Sequence, residues 1–118
     1  MVAVVPDLFF AARIAGAAEH LPVTLETPAP GEAFEAIRRS PPGLVILDLH
    51  APGDPLSLVR ALRADPATRT VPIVGFYAHV DRALRAAALA AGLNQVLPRS
   101  AFSARLAALL TGEAVSRG

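Results

Sequence analysis

The chain has 118 residues, 53% of them apolar, and a formal net charge of +1. This length suits one compact domain with a buried core, and so small a charge gives no argument for binding nucleic acid. The sequence has no apolar run of the roughly 18 residues that a membrane span needs, and the absence of cysteine excludes disulfides, thiol catalysis and cysteine-bound metals.

Five short apolar runs are predicted to form strands that are buried on both faces. They are rich in β-branched residues and lack the alternation that is typical of a strand with one solvated face. In chain order they cover residues 2–5, 23–26, 44–47, 73–77 and 96–97.

Segments with helical periodicity lie between and after these strands. Asp54 followed by proline is typical of a helix start, because the carboxylate caps the first turn and proline fits it. The five predicted helices begin, in chain order, near Asp7, Gly31, Asp54, Asp81 and Ser100. Five strands alternating with five helices predict an α/β fold, with a parallel sheet covered by helices on both faces.

The functional site of such a sheet lies at the carboxyl ends of its strands, where the strand order reverses. The polar residues at those ends are Asp7, Asp48, Tyr77 or His79, and Arg99. Asp48 follows four apolar residues, so its carboxylate is expected at the edge of the site rather than within the core.

The stretch around Asp48 carries a family resemblance. Residues 44–48 read Leu-Val-Ile-Leu-Asp, Pro-Gly follows at 52–53, and residues 62–68 read Leu-Arg-Ala-Asp-Pro-Ala-Thr. These motifs closely resemble the receiver domains of two-component response regulators, and the match in element order extends over residues 2 to 111. The resemblance implies a flavodoxin-like (βα)5 receiver fold with a five-stranded sheet of order 2-1-3-4-5. Residues 1–111 are then one domain, and residues 112–118 are a C-terminal tail that is expected to be flexible.

The resemblance also implies a reaction. In receiver domains a histidine kinase supplies a phosphoryl group to the aspartate that ends the third strand, and Asp48 stands at that position. Because a carboxylate and a phosphoryl group repel each other, a divalent cation has to neutralise their charges. By the resemblance, Mg²⁺ would be bound by Asp7, Asp48 and the backbone carbonyl of His50.

Several positions depart from the family pattern, and three of them bear directly on phosphorylation of Asp48. Pro6 replaces the first member of the family's acidic pair, and Tyr77 replaces a serine or threonine whose hydroxyl contacts the phosphoryl group. Arg99 replaces the family's lysine after the fifth strand, which pairs with the phosphoryl oxygens. Tyr77 and Arg99 therefore stand at the two switch positions. Arg99 can bind a phosphoryl group as that lysine does. Alternatively, its planar guanidinium already forms a bidentate ion pair with Asp48, with Asp7 or with both.

These departures lead to the main functional hypothesis. We expect a stand-alone, atypical receiver-like protein in which Asp48 is phosphorylated weakly or not at all. It is expected to signal by protein–protein contact, with a histidine kinase or an output protein, through the fourth helix, fifth strand and fifth helix (residues 81–110). A homodimer is also possible. Residues 1–6 lack a signal-peptide pattern, so we expect a cytoplasmic protein, and no nucleophile–base pair indicates an enzyme.

An alternative hypothesis is a binding module for a small anion or nucleotide at the same strand ends, with Arg99, Tyr77 and His79 as its polar groups. Phe9 and Phe10 follow Asp7 directly; one is expected in the core, and the other covers the site or meets a partner. The paired arginines of the chain, such as Arg60 and Arg63, are interpreted as solvated surface charge.

Overall fold

Four parallel strands form the central sheet, in the order β1-β2-β3-β4. The computed structural model describes residues 1–19, 21, 24–78 and 81–110. Within these ranges the strands are β1 (Val2–Val4), β2 (Val45–Asp48), β3 (Ile73–Tyr77) and β4 (Gln95–Pro98). The helices are α1 (Leu8–Glu19), α2 (Ala33–Arg39), α3 (Pro55–Ala64), α4 (Arg82–Ala91) and α5 (Arg99–Leu110), and a 3₁₀ turn (Pro30–Glu32) precedes α2.

The second predicted strand, at residues 23–26, is only partly within the described chain, because Val23 lies outside it. The described part of that segment forms one isolated parallel bridge, between Glu26 and Val2. The Glu26 amide donates to the carbonyl of Met1 at 2.9 Å, and the Ala3 amide donates to the carbonyl of Glu26 at 2.9 Å. The segment thus lies along the outer edge of β1, as the order 2-1-3-4-5 requires. Pro28 and Pro30 follow closely, and proline has no N–H with which to extend a ladder.

Each face of the sheet carries its own apolar cluster. One cluster packs beneath α2, α3 and α4 and includes the fully buried Val59 and Leu62 of α3. The other packs beneath α1 and α5 and includes Ile14 of α1 and Phe102 of α5. Burial on both faces explains why the strands lack alternation in sequence.

Most predicted helix starts are confirmed by capping contacts. The Asp54 carboxylate accepts a hydrogen bond from the Ser57 amide at 3.3 Å, and the Asp81 carboxylate accepts one from the Leu84 amide at 2.9 Å. α5 begins at Arg99, one residue before the predicted start. No helix of the described ranges is both long enough and apolar enough to cross a membrane.

The interpretation of Arg63 as surface charge was wrong. Its Nε donates to the carbonyl of Gly92 at 2.9 Å, and Nη1 donates to the carbonyls of Arg69 and Val71 at 2.9 and 2.7 Å. Its Nη2 donates to Oδ1 of Asn94 at 2.9 Å. One guanidinium therefore ties α3 to the segments that precede β3 and β4.

Candidate functional site

Asp48 lies at the carboxyl end of β2, where it is only 6% exposed. Its Oδ1 accepts a hydrogen bond from the His50 amide at 2.8 Å, and its backbone carbonyl accepts one from the Ala51 amide at 3.1 Å. Asp48 is in register with Phe76 of β3, so its side chain is on the face of the sheet that α1 and α5 cover. The turn after β2 therefore holds this carboxylate in one orientation at the strand end.

Asp7 uses both of its carboxylate oxygens. Oδ1 accepts from the amides of Phe9 and Phe10 at 3.0 and 3.2 Å, which caps α1 as predicted. Oδ2 forms an ion pair with Nη2 of Arg99 at 3.3 Å. The hydrogen bond from the Phe10 amide lowers the pKa of the Asp7 carboxyl below its usual value, with help from the Phe9 amide and Arg99 and against the opposing effect of desolvation.

Arg99 rests on aromatic rings at the start of α5. Its Cζ lies 4.7 Å from the ring centroid of Phe10 and 5.7 Å from that of Phe76, a geometry that favours the cation. Within the described chain Arg99 forms an ion pair with Asp7 and none with Asp48, and its buried Nε has no hydrogen-bond partner. The pairing with Asp7 expected from the sequence is present, but through one nitrogen and one oxygen rather than as a bidentate pair.

Three phenylalanine rings form the floor beneath this arginine. Phe76 lies 4.6 Å from Phe10 and 5.0 Å from Phe102, and Phe10 lies 5.7 Å from Phe102, all between ring centroids. The rings come from α1, β3 and α5, so they join three elements at one end of the sheet. No sequence motif marked this trio, although Phe10 was one of two candidates for the core.

Tyr77 lies on the opposite side of the sheet from Arg99. Its side chain is 8% exposed and belongs to the cluster beneath α2, α3 and α4, together with Leu49 and Leu93. His79 falls outside the described residues. The described chain therefore does not bring Tyr77 and Arg99 into one binding site, as the alternative hypothesis required.

Phe9 and Phe10 have opposite surroundings, as the sequence suggested. Phe10 is buried, whereas Phe9 is 93% exposed and its neighbour Leu8 is 84% exposed. Phe9 lines an open cleft that also borders Asp7 and Arg99. Its position fits either a cover for the site or a contact with a partner.

The donor groups implied by the resemblance do not form a ready-made Mg²⁺ site. Both oxygens of Asp7 are engaged, and Pro6 offers no carboxylate. Within residues 1–19, 21, 24–78 and 81–110, no three His, Cys, Asp or Glu residues are grouped so as to hold a metal ion. A divalent cation at Asp7 would have to displace the Arg99 guanidinium.

The Asp7 carboxylate is expected to make stability depend on pH. Because its pKa is lower in the folded chain, its contribution is complete well above 3.8, the usual value, and is lost as the pH falls through the lowered pKa. Asp7→Asn keeps the capping oxygen but removes the charge. Urea unfolding should show the variant less stable than the parent chain at about pH 7, with a smaller difference at about pH 3. An unchanged difference would contradict this assignment.

Solved structures share this architecture. A response regulator from Hahella chejuensis superposes with a TM-score of 0.85 at 21% identity, covering 99% of this chain and 96% of its own. A response regulator described from Chloroflexus aurantiacus J-10-fl superposes with a TM-score of 0.82 at 26% identity, covering 92% and 91%. The Mn²⁺-bound form of the response regulator Rcp1 superposes with a TM-score of 0.72 at 18% identity, covering 94% and 88%.

No family model and no curated protein matches the chain. The structural likeness nevertheless covers nearly the whole length of both partners, and the sequence prediction of a flavodoxin-like receiver fold is confirmed.

Proposed function

We propose, from the receiver fold of this chain, that it is a signalling protein that acts by contact with another protein. We further propose that Asp48 accepts phosphoryl groups weakly or not at all. The candidate partners are a histidine kinase or an output protein, as the resemblance to receiver domains implied.

The position of Asp48 supports a receiver origin. Its carboxylate ends a buried strand, is oriented by the His50 amide, and stands at the sheet edge where such folds place their ligands. A residue that only filled the core or faced the solvent would not need such an arrangement. These contacts support the proposal that Asp48 occupies the acceptor position.

The observation that carries the second part of the proposal is the ion pair of Arg99 with Asp7. A phosphoryl transfer to Asp48 needs a metal ion near these carboxylates and a free cation for the phosphoryl oxygens. Here one arginine is already bound to the carboxylate expected to hold the metal, and it is stacked on Phe10. For Asp48 to be phosphorylated, Arg99 would have to lose both its ion pair with Asp7 and its contact with the Phe10 ring.

A divalent metal remains part of the proposal, in a limited role. The neighbour Rcp1 is described in a Mn²⁺-bound form. In this chain Asp7, Asp48 and the His50 carbonyl would supply its ligands once Arg99 has moved away. Such a metal would neutralise the carboxylates, and we expect it to bind weakly because Arg99 competes with it.

The partner surface is proposed on α4, β4 and α5. Of the α4 side chains only Ala88 is fully buried, and Ala83, Ala86, Ala87 and Ala90 are exposed together with Arg82. Short side chains let a partner's backbone approach this helix closely. Protein contact through this surface does not depend on chemistry at Asp48.

The test is phosphorylation by acetyl phosphate with Mg²⁺, read as the intact mass. We expect the parent chain to take up far less than one phosphoryl group per molecule, because Arg99 occupies Asp7. Arg99→Lys, which restores the family's cation, is expected to raise the uptake above that of the parent chain.

Asp48→Ala serves as the control, and a receiver that reacts with the same donor confirms that the reagent is active. Stoichiometric labelling of the parent chain that disappears in Asp48→Ala would overturn the second part of the proposal. It would identify the chain as an ordinary phosphorelay member instead.

A further inference from the structure

An open cleft of about 740 Å³ lies between the first turns of α1 and α5. α1 contributes Phe9 and Arg13, which are four residues apart and so share one face of the helix. α5 contributes Arg99, Ser100 and Ser103, the two serines being three residues apart. A volume of this size suits a small ligand.

Asp48 and Tyr77 are not among the residues that line this cleft. The acceptor position is therefore not part of this cleft, which Asp7 and Arg99 line. It shares Arg99 with the anion site expected from the sequence but is not lined by Tyr77, and His79 lies outside the described residues.

The cleft has an excess of positive charge. Of the described residues, those that line it include two arginines, Arg13 and Arg99, and one acid, Asp7. The Asp7 carboxylate is already satisfied by two backbone amides and by Arg99. One full positive charge is left over, and it resides on the side chain of Arg13, which is exposed to solvent.

Hydrogen-bond donors are also in excess. A guanidinium has five N–H groups; in Arg99 one of them donates to Asp7 and the Nε–H is buried, so the spare donors are on Nη1 and Nη2. Arg13 forms no ion pair within the part of the chain that the structure describes. The hydroxyls of Ser100 and Ser103 add two further donors on the α5 side of the cleft.

From this combination we infer that the cleft binds a small oxyanion, a phosphate or carboxylate group, between Arg13 and Arg99. The planar fork of arginine matches both kinds of group with paired hydrogen bonds. Phe9, at the rim, offers an apolar ring to whatever group carries the anion. This inference does not depend on the state of Asp48 and stands apart from the proposed signalling role.

The experiment is a titration of the ¹⁵N-labelled chain with sodium phosphate and, separately, with sodium acetate, followed by backbone amide shifts. Sodium chloride at matched ionic strength corrects for screening. We expect saturable shifts at the first turns of α1 and α5 with at least one of the two anions. Arg13→Ala should weaken that binding about tenfold, since it removes charge-assisted hydrogen bonds.

Three further variants make the titration specific. Arg82→Ala removes the same charge from the exposed start of α4, outside the cleft, and should leave binding unchanged. Asp48→Asn should also leave it unchanged. Asp7→Asn, which removes the negative charge that Asp7 brings to the cleft, should strengthen binding several-fold.

Two results would overturn the inference. One is the absence of saturation with both anions. The other is binding that Arg82→Ala or Asp48→Asn weakens as much as Arg13→Ala does, since the anion would then be attracted by overall charge or held at the acceptor. Because Arg13 is exposed, its replacement leaves the core intact, and the amide spectrum itself verifies folding.

Discussion

Replacing Phe76 by alanine is expected to destabilise the fold by about 3–5 kcal/mol, the usual effect of removing a buried phenylalanine. Phe76 is fully buried in the middle of the sheet and contacts the rings of Phe10 and Phe102. Its loss would leave a cavity at the point where α1, β3 and α5 meet. Since a domain of this size is stable by only about 5–15 kcal/mol, much of the total would be lost.

The measurement is urea unfolding followed by circular dichroism. Phe76→Leu is the matched control, because leucine fills most of the volume but has no ring, and we expect it to cost less than half as much. The ring is also part of the floor under Arg99. A loss below about 1 kcal/mol in Phe76→Ala would contradict the packing described here, since such a loss is below the range for large-to-small core changes.

Replacing Arg63 by alanine is expected to destabilise the fold by about 3 kcal/mol, since it removes several charge-assisted hydrogen bonds at once. Three backbone carbonyls and the Asn94 side chain would lose their donor. Asn94 Oδ1 also accepts from the Ile73 amide at 2.8 Å, so the disturbance reaches the start of β3. In Arg63→Ala, water can hydrogen-bond to the more exposed carbonyls. The loss of stability is therefore expected to be smaller than the sum of the contributions of the separate hydrogen bonds.

Arg60→Ala is the matched control on the same helix. The Arg60 side chain is 58% exposed, and its nearest charge, on Asp54, is 3.8 Å away. Exposed pairs of this kind contribute little, so we expect a change within about 0.5 kcal/mol. Equal losses of stability from the two replacements would show that Arg63 is ordinary surface charge after all.

The fold could be predicted from sequence because local chemistry defines its elements. Asp54 and Asp81 cap the helices that they were expected to cap, and Gly92, with a φ of 121°, ends α4 where only glycine is comfortable. The extent of strand pairing in the edge segment near Glu26 was harder to predict. Strand propensity cannot show how much of a ladder forms beside prolines.

The candidate site was less predictable, because its contacts join residues that are distant in sequence. The sequence placed Asp7, Asp48 and Arg99 at one edge of the sheet but left the partner of Arg99 open. The answer depends on the rings of Phe10 and Phe76, which hold the guanidinium beside Asp7. Arg63 was missed for the same reason, since two of its acceptors, Gly92 and Asn94, lie 29 and 31 residues further along the chain.

The pairing of Arg99 with Asp7 has a consequence for how this protein responds to its surroundings. Arginine stays protonated at every physiological pH, and a guanidinium that belongs to the chain cannot be removed by a chelator. EDTA, which would strip the neutralising ion from a metal-dependent receiver, should leave the charge balance at Asp7 untouched. The charge on Asp7 is thus neutralised in the resting chain without any need for magnesium.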